Sequence, residues 1–178
     1  VSIPLIAEND VREELEGEQE MLTTLLRNAK VGFNSVSRAL TIKSVFATIL
    51  NKRKLAIAKV HDASLKEEQD HYKNTTDGDW LKDREKHYES LTNSDYIFER
   101  SKFIDLLILW LGDLVRLKSG APRLDFSQHE EAMAEAAERE SLESLLQRMD
   151  AMEELRALFE TNVSEALALE VSFMKAFS

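Results

Sequence analysis

Apolar residues recur at spacings of three and four along most of the chain, the pattern of helices that bury one face. The first helix is predicted from about Asp10 to Ala29, with Val11, Leu15, Leu22, Leu25 and Leu26 as its stripe. "KVGFNS" breaks it, and Ser35 or Ser37 is placed to cap a second helix through "VSRALTIKSVFATILNKRKLAIAKV". Val36, Leu40, Val45, Ile49 and Leu55 keep helical spacing there, although β-branched residues leave a local strand open. Between 62 and 93 the apolar positions thin out. "ASLKEEQDHYK" and "DWLKDREKHYESL", separated by the loop signal "NTTDGD" at 74–79, predict a charged helical hairpin.

After "TNSD" the pattern inverts. From about Tyr96 to Lys118 the residues Ile104, Leu106, Leu107, Trp110, Leu111 and Leu114 leave almost no polar face, which predicts a helix enclosed by others. Gly120 can end it in the left-handed conformation, with Pro122 just beyond. Ser127 and Glu130 form an S-x-x-E capping box ahead of "QHEEAMAEAAERE". A helix over 141–160 then presents Leu142, Leu145, Leu146, Met149, Met152, Leu155 and Phe159 as a core stripe. In the last helical stretch, Asn162 precedes Glu165 by three residues. The Asn side chain can accept from a first-turn N–H, and Glu165 complements the helix dipole, so Asn162→Ala is expected to cost about 1 kcal/mol. Asn162-Val163-Ser164 also spells a glycosylation sequon, but that rule describes an exposed loop of a secreted protein, for which the sequence offers no support.

The predicted fold class is all-α, one helical bundle domain over residues 1–178: N-terminal helices at 1–60, a charged helical-hairpin insertion at 61–94, and C-terminal helices at 95–178. Composition agrees, since 43% hydrophobic residues suit a globular core, and five glycines with two prolines are too few for the turns of a many-stranded sheet.

The residue inventory narrows the chemistry. Without cysteine there is no disulfide, thiolate zinc site or Cys nucleophile, which suits a reducing compartment and makes a cytoplasmic location the expectation. "FIDLLILWLGDLVRL" is interrupted by Asp105, Asp113 and Arg116, so no membrane span is expected. "VSIPLIAEND" has neither an initiator Met nor a signal-peptide pattern, and the chain is expected to be a piece of a longer one. No phosphate-binding glycine loop, nucleophile elbow, H-E-x-x-H pair or EF-hand loop is present. No catalytic, cofactor-binding or metal-ligating residue is therefore expected, nor a small-molecule substrate. Glu68 and His71 fit half of a carboxylate-bridged di-iron pattern, but Arg84 stands three positions before His87, where a second glutamate is required. Asp113 and Arg116, one turn apart on an apolar helix, call for a local pair or for contacts with a neighbouring helix.

Charge is distributed unevenly within a net −10. Met21 to His61 holds no acid and eight lysines and arginines, whereas Arg123 to Glu170 holds thirteen acids against four arginines. Solvated helix faces explain such runs most simply. Arg38, Lys43, Lys52, Arg53, Lys54 and Lys59 are nonetheless a candidate partner surface, although no nucleic-acid reading motif accompanies them.

Three segments resemble a known family: "FIDLLILWLGDLVRLKSGA", with Trp110, Asp113, Leu114 and Gly120; "ERESLESLLQRMDAMEELRALFE"; and the Asn162 helix start leading through Glu165 into Leu167 and Leu169. Over roughly residues 95–178 the chain is similar to the C-terminal helical domain of bacterial DNA polymerase III clamp-loader subunits, the delta-prime and gamma/tau kind. Gly112 and Ser164 depart from that pattern, which often has Arg and Pro there. The resemblance implies a non-catalytic collar domain that holds subunits in the ring loading the sliding clamp during DNA replication. It also implies a missing N-terminal ATPase-like module, other clamp-loader subunits as partners, and DNA met only through the assembled complex. A stand-alone helical protein-binding module is the alternative, and a metal-dependent helical enzyme a third.

Overall fold

Helical periodicity is realised in fewer and longer helices than the sequence breaks suggest. A computed structural model describes residues 5–32, 35–72, 78–121 and 123–178, with side chains undescribed at 5–11, 13 and 78. It is an all-helical bundle, with no strand among the described residues: α1 Leu5–Val31, α2 Val36–Tyr72, α3 Gly78–Lys118, α4 Glu130–Arg139, α5 Leu142–Leu158 and α6 Glu165–Phe177, plus a 3₁₀ turn at Ser127–His129. The β-branched stretch left open as a strand is helical. "TNSD" is not a break either, because α3 runs through it without interruption. No Gly or Pro stands there, and Thr92 Oγ1 donates to Tyr88 O one turn back, which satisfies the hydroxyl within the helix. Of the loop expected at 74–79, residues 74–77 lie outside the described residues, as does Pro122, and Gly78 opens α3.

The chain divides into two compact units. Val1–Glu16 and Thr48–Arg100 form one, here the hairpin unit; Gly17–Ala47 and Ser101–Ser178 form the other, the bundle unit.

In the hairpin unit, α2 and α3 pair antiparallel in a constant register. Arg53 meets Glu99 and Glu68 meets Arg84, so fifteen residues separate the two contacts on either helix. Four residues further toward the tip on each, the Tyr72 and Trp80 rings lie 5.3 Å apart.

In the bundle unit the core is built on α3. Phe103, Ile104, Leu107, Trp110, Leu111 and Leu114 are each at most 2% exposed, as the lack of a polar face requires. Phe46 of α2 meets Phe173 of α6 at 5.0 Å, and Phe173 meets Phe177 at 5.5 Å. Burial at this scale contributes about 1.5–3 kcal/mol for each large side chain before conformational entropy opposes it. Gly112 is not required by close packing at its α-carbon, since a Cβ there would meet nothing within 4 Å.

The helix ends differ from the sequence signals in an informative way. Gly120 takes φ +72° and closes α3, with Ala121 N–H donating to Arg116 O at 2.8 Å and Gly120 N–H to Leu117 O at 3.2 Å, a Schellman arrangement. The capping box at Ser127 and Glu130 does not form: Ser127 lies in the 3₁₀ turn, and neither that turn nor α4 has a side-chain cap. The carboxylate of Asp113 serves this approach instead, accepting from Asp125 N–H and Phe126 N–H. Asn162 is not a cap. It is an exposed turn residue, and α6 starts behind Ser164 without a side-chain cap. A side-chain cap does occur on α5, where Ser141 Oγ accepts from Ser144 N–H at 3.1 Å.

Ser141→Ala should therefore lower the unfolding free energy by about 1 kcal/mol, while Asn162→Ala should change it by less than about 0.5 kcal/mol. Urea unfolding of the two variants checks this. Equal losses would return the capping role to Asn162.

Candidate functional site

Asp113 is the most constrained charged group of the bundle unit, with no exposed side-chain surface in the middle of the most apolar stretch of α3. A carboxylate there needs hydrogen bonds at both oxygens. Oδ1 accepts from Arg116 Nη1 at 2.5 Å and Asp125 N at 3.1 Å, and Oδ2 accepts from Phe126 N at 2.8 Å. Arg116 also reaches Asp125 Oδ2 at 2.5 Å, and its two carboxylate partners, Asp125 first, raise its pKa above the usual guanidinium value. The pair anticipated from the one-turn spacing thus exists, with two backbone N–H groups added that spacing could not reveal.

The remaining motif residues are placed as follows. Trp110 is fully buried and Leu169 nearly so. Glu165 opens α6 half-buried. Leu167 is 57% exposed and Val171 43%, one turn apart on α6. Leu142 and Leu146, expected in the core stripe of α5, are 42% and 40% exposed. Their expected place is taken by Arg148, 5% exposed, between Leu145 and Met152. Its Nη1 donates to Ala176 O at 2.7 Å and its Nη2 to Glu140 Oε1 at 3.2 Å, tying α5 to the end of α6. Sequence reasoning passed over Arg148. Its three-and-four spacing from Leu145 and Met152 was the signal.

The candidate basic surface is largely consumed by internal tasks. Arg38 Nη1 donates to Gly32 O at 2.7 Å, and Arg139 donates to Ala29 O and Lys30 O, so two guanidinium groups meet the carbonyls left open at the end of α1. Arg53 is buried, Nε donating to Glu99 Oε2 at 2.9 Å. Lys54 lies over the Tyr96 ring at 5.0 Å from its centre. Lys43 is half-buried, and Lys52 and Lys59 present exposed side chains.

The hairpin unit carries three charged pairings on the seam between α2 and α3. Next along from Arg53 and Glu99, His61 places Nδ1 2.8 Å from Thr92 Oγ1 and Nε2 3.2 Å from Asp95 Oδ2. Glu68 follows, gripped by Arg84 through Nε at 2.6 Å and Nη2 at 2.7 Å, with Tyr88 Oη donating at 2.7 Å. This fork engages both carboxylate oxygens, so the Glu68-x-x-His71 spacing serves an ion pair and not a ligand set. No group of three His, Asp or Glu side chains among the described residues could hold a metal. No helix among the described residues is long and apolar enough to cross a membrane. Beside the seam, between Ala58 and Leu65 on α2 and Glu85 to Asn93 on α3, lies an open groove of about 470 Å³.

Comparison with known proteins finds no matching family model, no matching curated protein and no matching solved structure.

Two predictions follow from these charges. Asp113→Ala should lower the unfolding free energy by about 2–3 kcal/mol in urea titrations, because it leaves two part-buried N–H groups without their acceptor, while Arg116 keeps Asp125. A loss below about 1 kcal/mol would mean that water replaces the carboxylate at no net cost. The hydrogen bond from Arg84, then that from Tyr88, lowers the pKa of Glu68 below its ordinary 4.5. With the folded value below the unfolded one, the stabilisation is complete above the unfolded pKa and is lost as pH falls through the lowered folded pKa. Amide protection factors in α2 and α3 near Glu68 should fall in that acid window in the native chain, and Glu68→Gln should remove this part of the pH dependence. An unchanged profile in the variant would place the acid sensitivity elsewhere.

Proposed function

We propose that the chain is a non-catalytic helical scaffold that joins protein subunits, of the collar kind found in DNA polymerase III clamp loaders of the delta-prime class. The observation that carries this reading is the outward placement of apolar pairs in the bundle unit. Leu142 with Leu146 and Leu167 with Val171 each stand one turn apart and at least 40% exposed. A third apolar face is formed on α2 by Val36, Leu40 and Val45 beside a shallow depression. Single exposed leucines are ordinary, but paired ones on several helices are what subunit contacts require. The resemblance over residues 95–178 supplies the identity of the assembly, with the other clamp-loader subunits as partners and DNA reached only through the complex.

Two observations bear on the alternatives. The engagement of Glu68 by Arg84 and Tyr88 weighs against a metal-dependent enzyme. The groove of the hairpin unit favours a further protein-binding role and does not compete with the collar reading, because it lies in the other unit.

Sedimentation of the chain mixed with the other clamp-loader subunits tests the proposal. A hetero-complex is expected, and Leu167→Glu with Val171→Glu should weaken it at least about tenfold, equivalent to about 1.4 kcal/mol, while leaving the far-ultraviolet dichroism unchanged. Absence of any complex with folded chain would sink the reading, as would full assembly of the doubly charged variant.

A further inference from the structure

Two sets of carboxylates in the hairpin unit stand out, one on the seam and one around the groove. Those on the seam, Glu68, Asp95 and Glu99, each face a cationic or potentially cationic partner: Arg84, His61 and Arg53. Those around the groove do not. Asp62, Glu85 and Glu89 have no ion pair or side-chain hydrogen bond among the described residues. Glu85 and Glu89 also stand one helical turn apart, a like-charge spacing that disfavours the helix on its own. Ala58, Leu65 and Tyr88 lie between these acids, and Thr92, Asn93 and Lys54, the last over the Tyr96 ring, complete the lining. Ala58 leaves a gap in the wall of α2, with Leu65 and the Tyr88 ring beside it. From Lys54 to Leu65 the groove follows eleven residues of α2, about 16 Å at ~1.5 Å per residue, or three turns of a third helix laid along the pair.

We propose that this groove is a docking site for an amphipathic helix of a partner protein, one that inserts an apolar side chain at Ala58 and flanks it with lysine or arginine. Apolar side chains in a groove with charged rims are the general form of helix-in-groove recognition. Charge decides between occupants. The first twelve helical residues of this chain, 5–16, hold five acids against Arg12 and do not complement the rim, and a second copy of the chain, though locally basic on α2, is repelled overall at net −10. A basic helix does, and it would relieve the repulsion between Glu85 and Glu89. The proposal stands on the hairpin unit alone and does not depend on the collar reading.

The test uses the full chain and two labelled helical peptides with the same leucine and alanine face, one flanked by lysines and one by glutamates, titrated by fluorescence anisotropy. Saturable one-to-one binding of the lysine peptide is expected, with the glutamate peptide at least about tenfold weaker. Glu85→Lys with Glu89→Lys should reduce lysine-peptide affinity at least about tenfold, and so should Ala58→Trp, which fills the gap without changing charge. All three positions are exposed or half-buried, so the fold should survive, with dichroism as the check. Glu131→Lys with Glu135→Lys, on the exposed face of α4, makes the same charge change elsewhere. Loss of affinity equal to that of the groove variant would reduce the effect to net-charge attraction and overturn the proposal. Unchanged binding in Ala58→Trp would overturn it as well, as would tighter binding of a single-stranded oligonucleotide than of the lysine peptide. None of these variants touches the apolar pairs of the bundle unit, so loss of peptide binding with intact subunit assembly, or the reverse, separates the two readings.

Discussion

An ionised carboxylate with no exposed surface is tolerable only if the protein supplies the hydrogen bonds that water would have made. Asp113 meets this condition by drawing in the chain that follows its own helix. Gly120 turns the backbone with a positive φ, and Asp125 and Phe126 then present their N–H groups to the Asp113 oxygens. From that fixed point the 3₁₀ turn leads into α4, which buries Met133, Ala136 and Ala137 and ends with Arg139 donating to the last carbonyls of α1. One buried charge therefore positions a loop, the loop positions a helix, and the helix closes the end of another. Apolar burial supplies most of the free energy of such a unit, but burial is nearly indifferent to register. The directional bonds to Asp113 are what select one arrangement.

The hairpin unit applies the same principle along a line. Its seam is marked by Arg53 with Glu99, His61 with Thr92 and Asp95, and Glu68 with Arg84 and Tyr88. Sliding one helix by a turn would separate all of these at once, the buried Arg53–Glu99 pair among them. Polar groups in a helical seam contribute less net stability than leucines would, but they specify register. This explains how a segment with so few large apolar residues keeps two long helices paired.

Such pairings also account for what the sequence could and could not reveal. The helical class, the enclosure of α3, the left-handed Gly120 and the Asp113–Arg116 pair were legible because each depends on residues within about one turn of one another. "TNSD" misled because turn-forming residues were weighed by type, while in the structure Asp95 faces His61 and Thr92 faces both His61 and its own helix, so α3 is held through them from the side. Asn162 misled because a cap is defined by where the helix begins, and α6 begins two residues later than the motif implied. The stripe on α5 was right in period and wrong in phase: Leu145, Met152 and Leu155 are buried, but the buried face rotates to take in Arg148 and Ala151 in place of Leu142 and Leu146. Periodicity gives a face, and only the partners decide its centre. Here the partners were the Ala176 carbonyl and the Glu140 carboxylate, twenty-eight and eight residues away.

That rotation connects the fold to the proposed roles. An arginine placed inward and leucines placed outward on one helix reverse the usual economy of a monomeric surface, on α5 and equally on α2, where Arg53 is buried and Leu55 exposed. The hairpin unit adds a feature of another kind: acids left without partners around a small apolar gap. An apolar contact gains from water release and depends weakly on ionic strength, whereas attraction to an acidic rim is screened within about 8–10 Å at physiological salt. The two surfaces would therefore respond differently to the same solution. A scaffold built this way could keep its subunit contacts through changes in salt that empty the groove, because the interactions that hold each one have different physical origins.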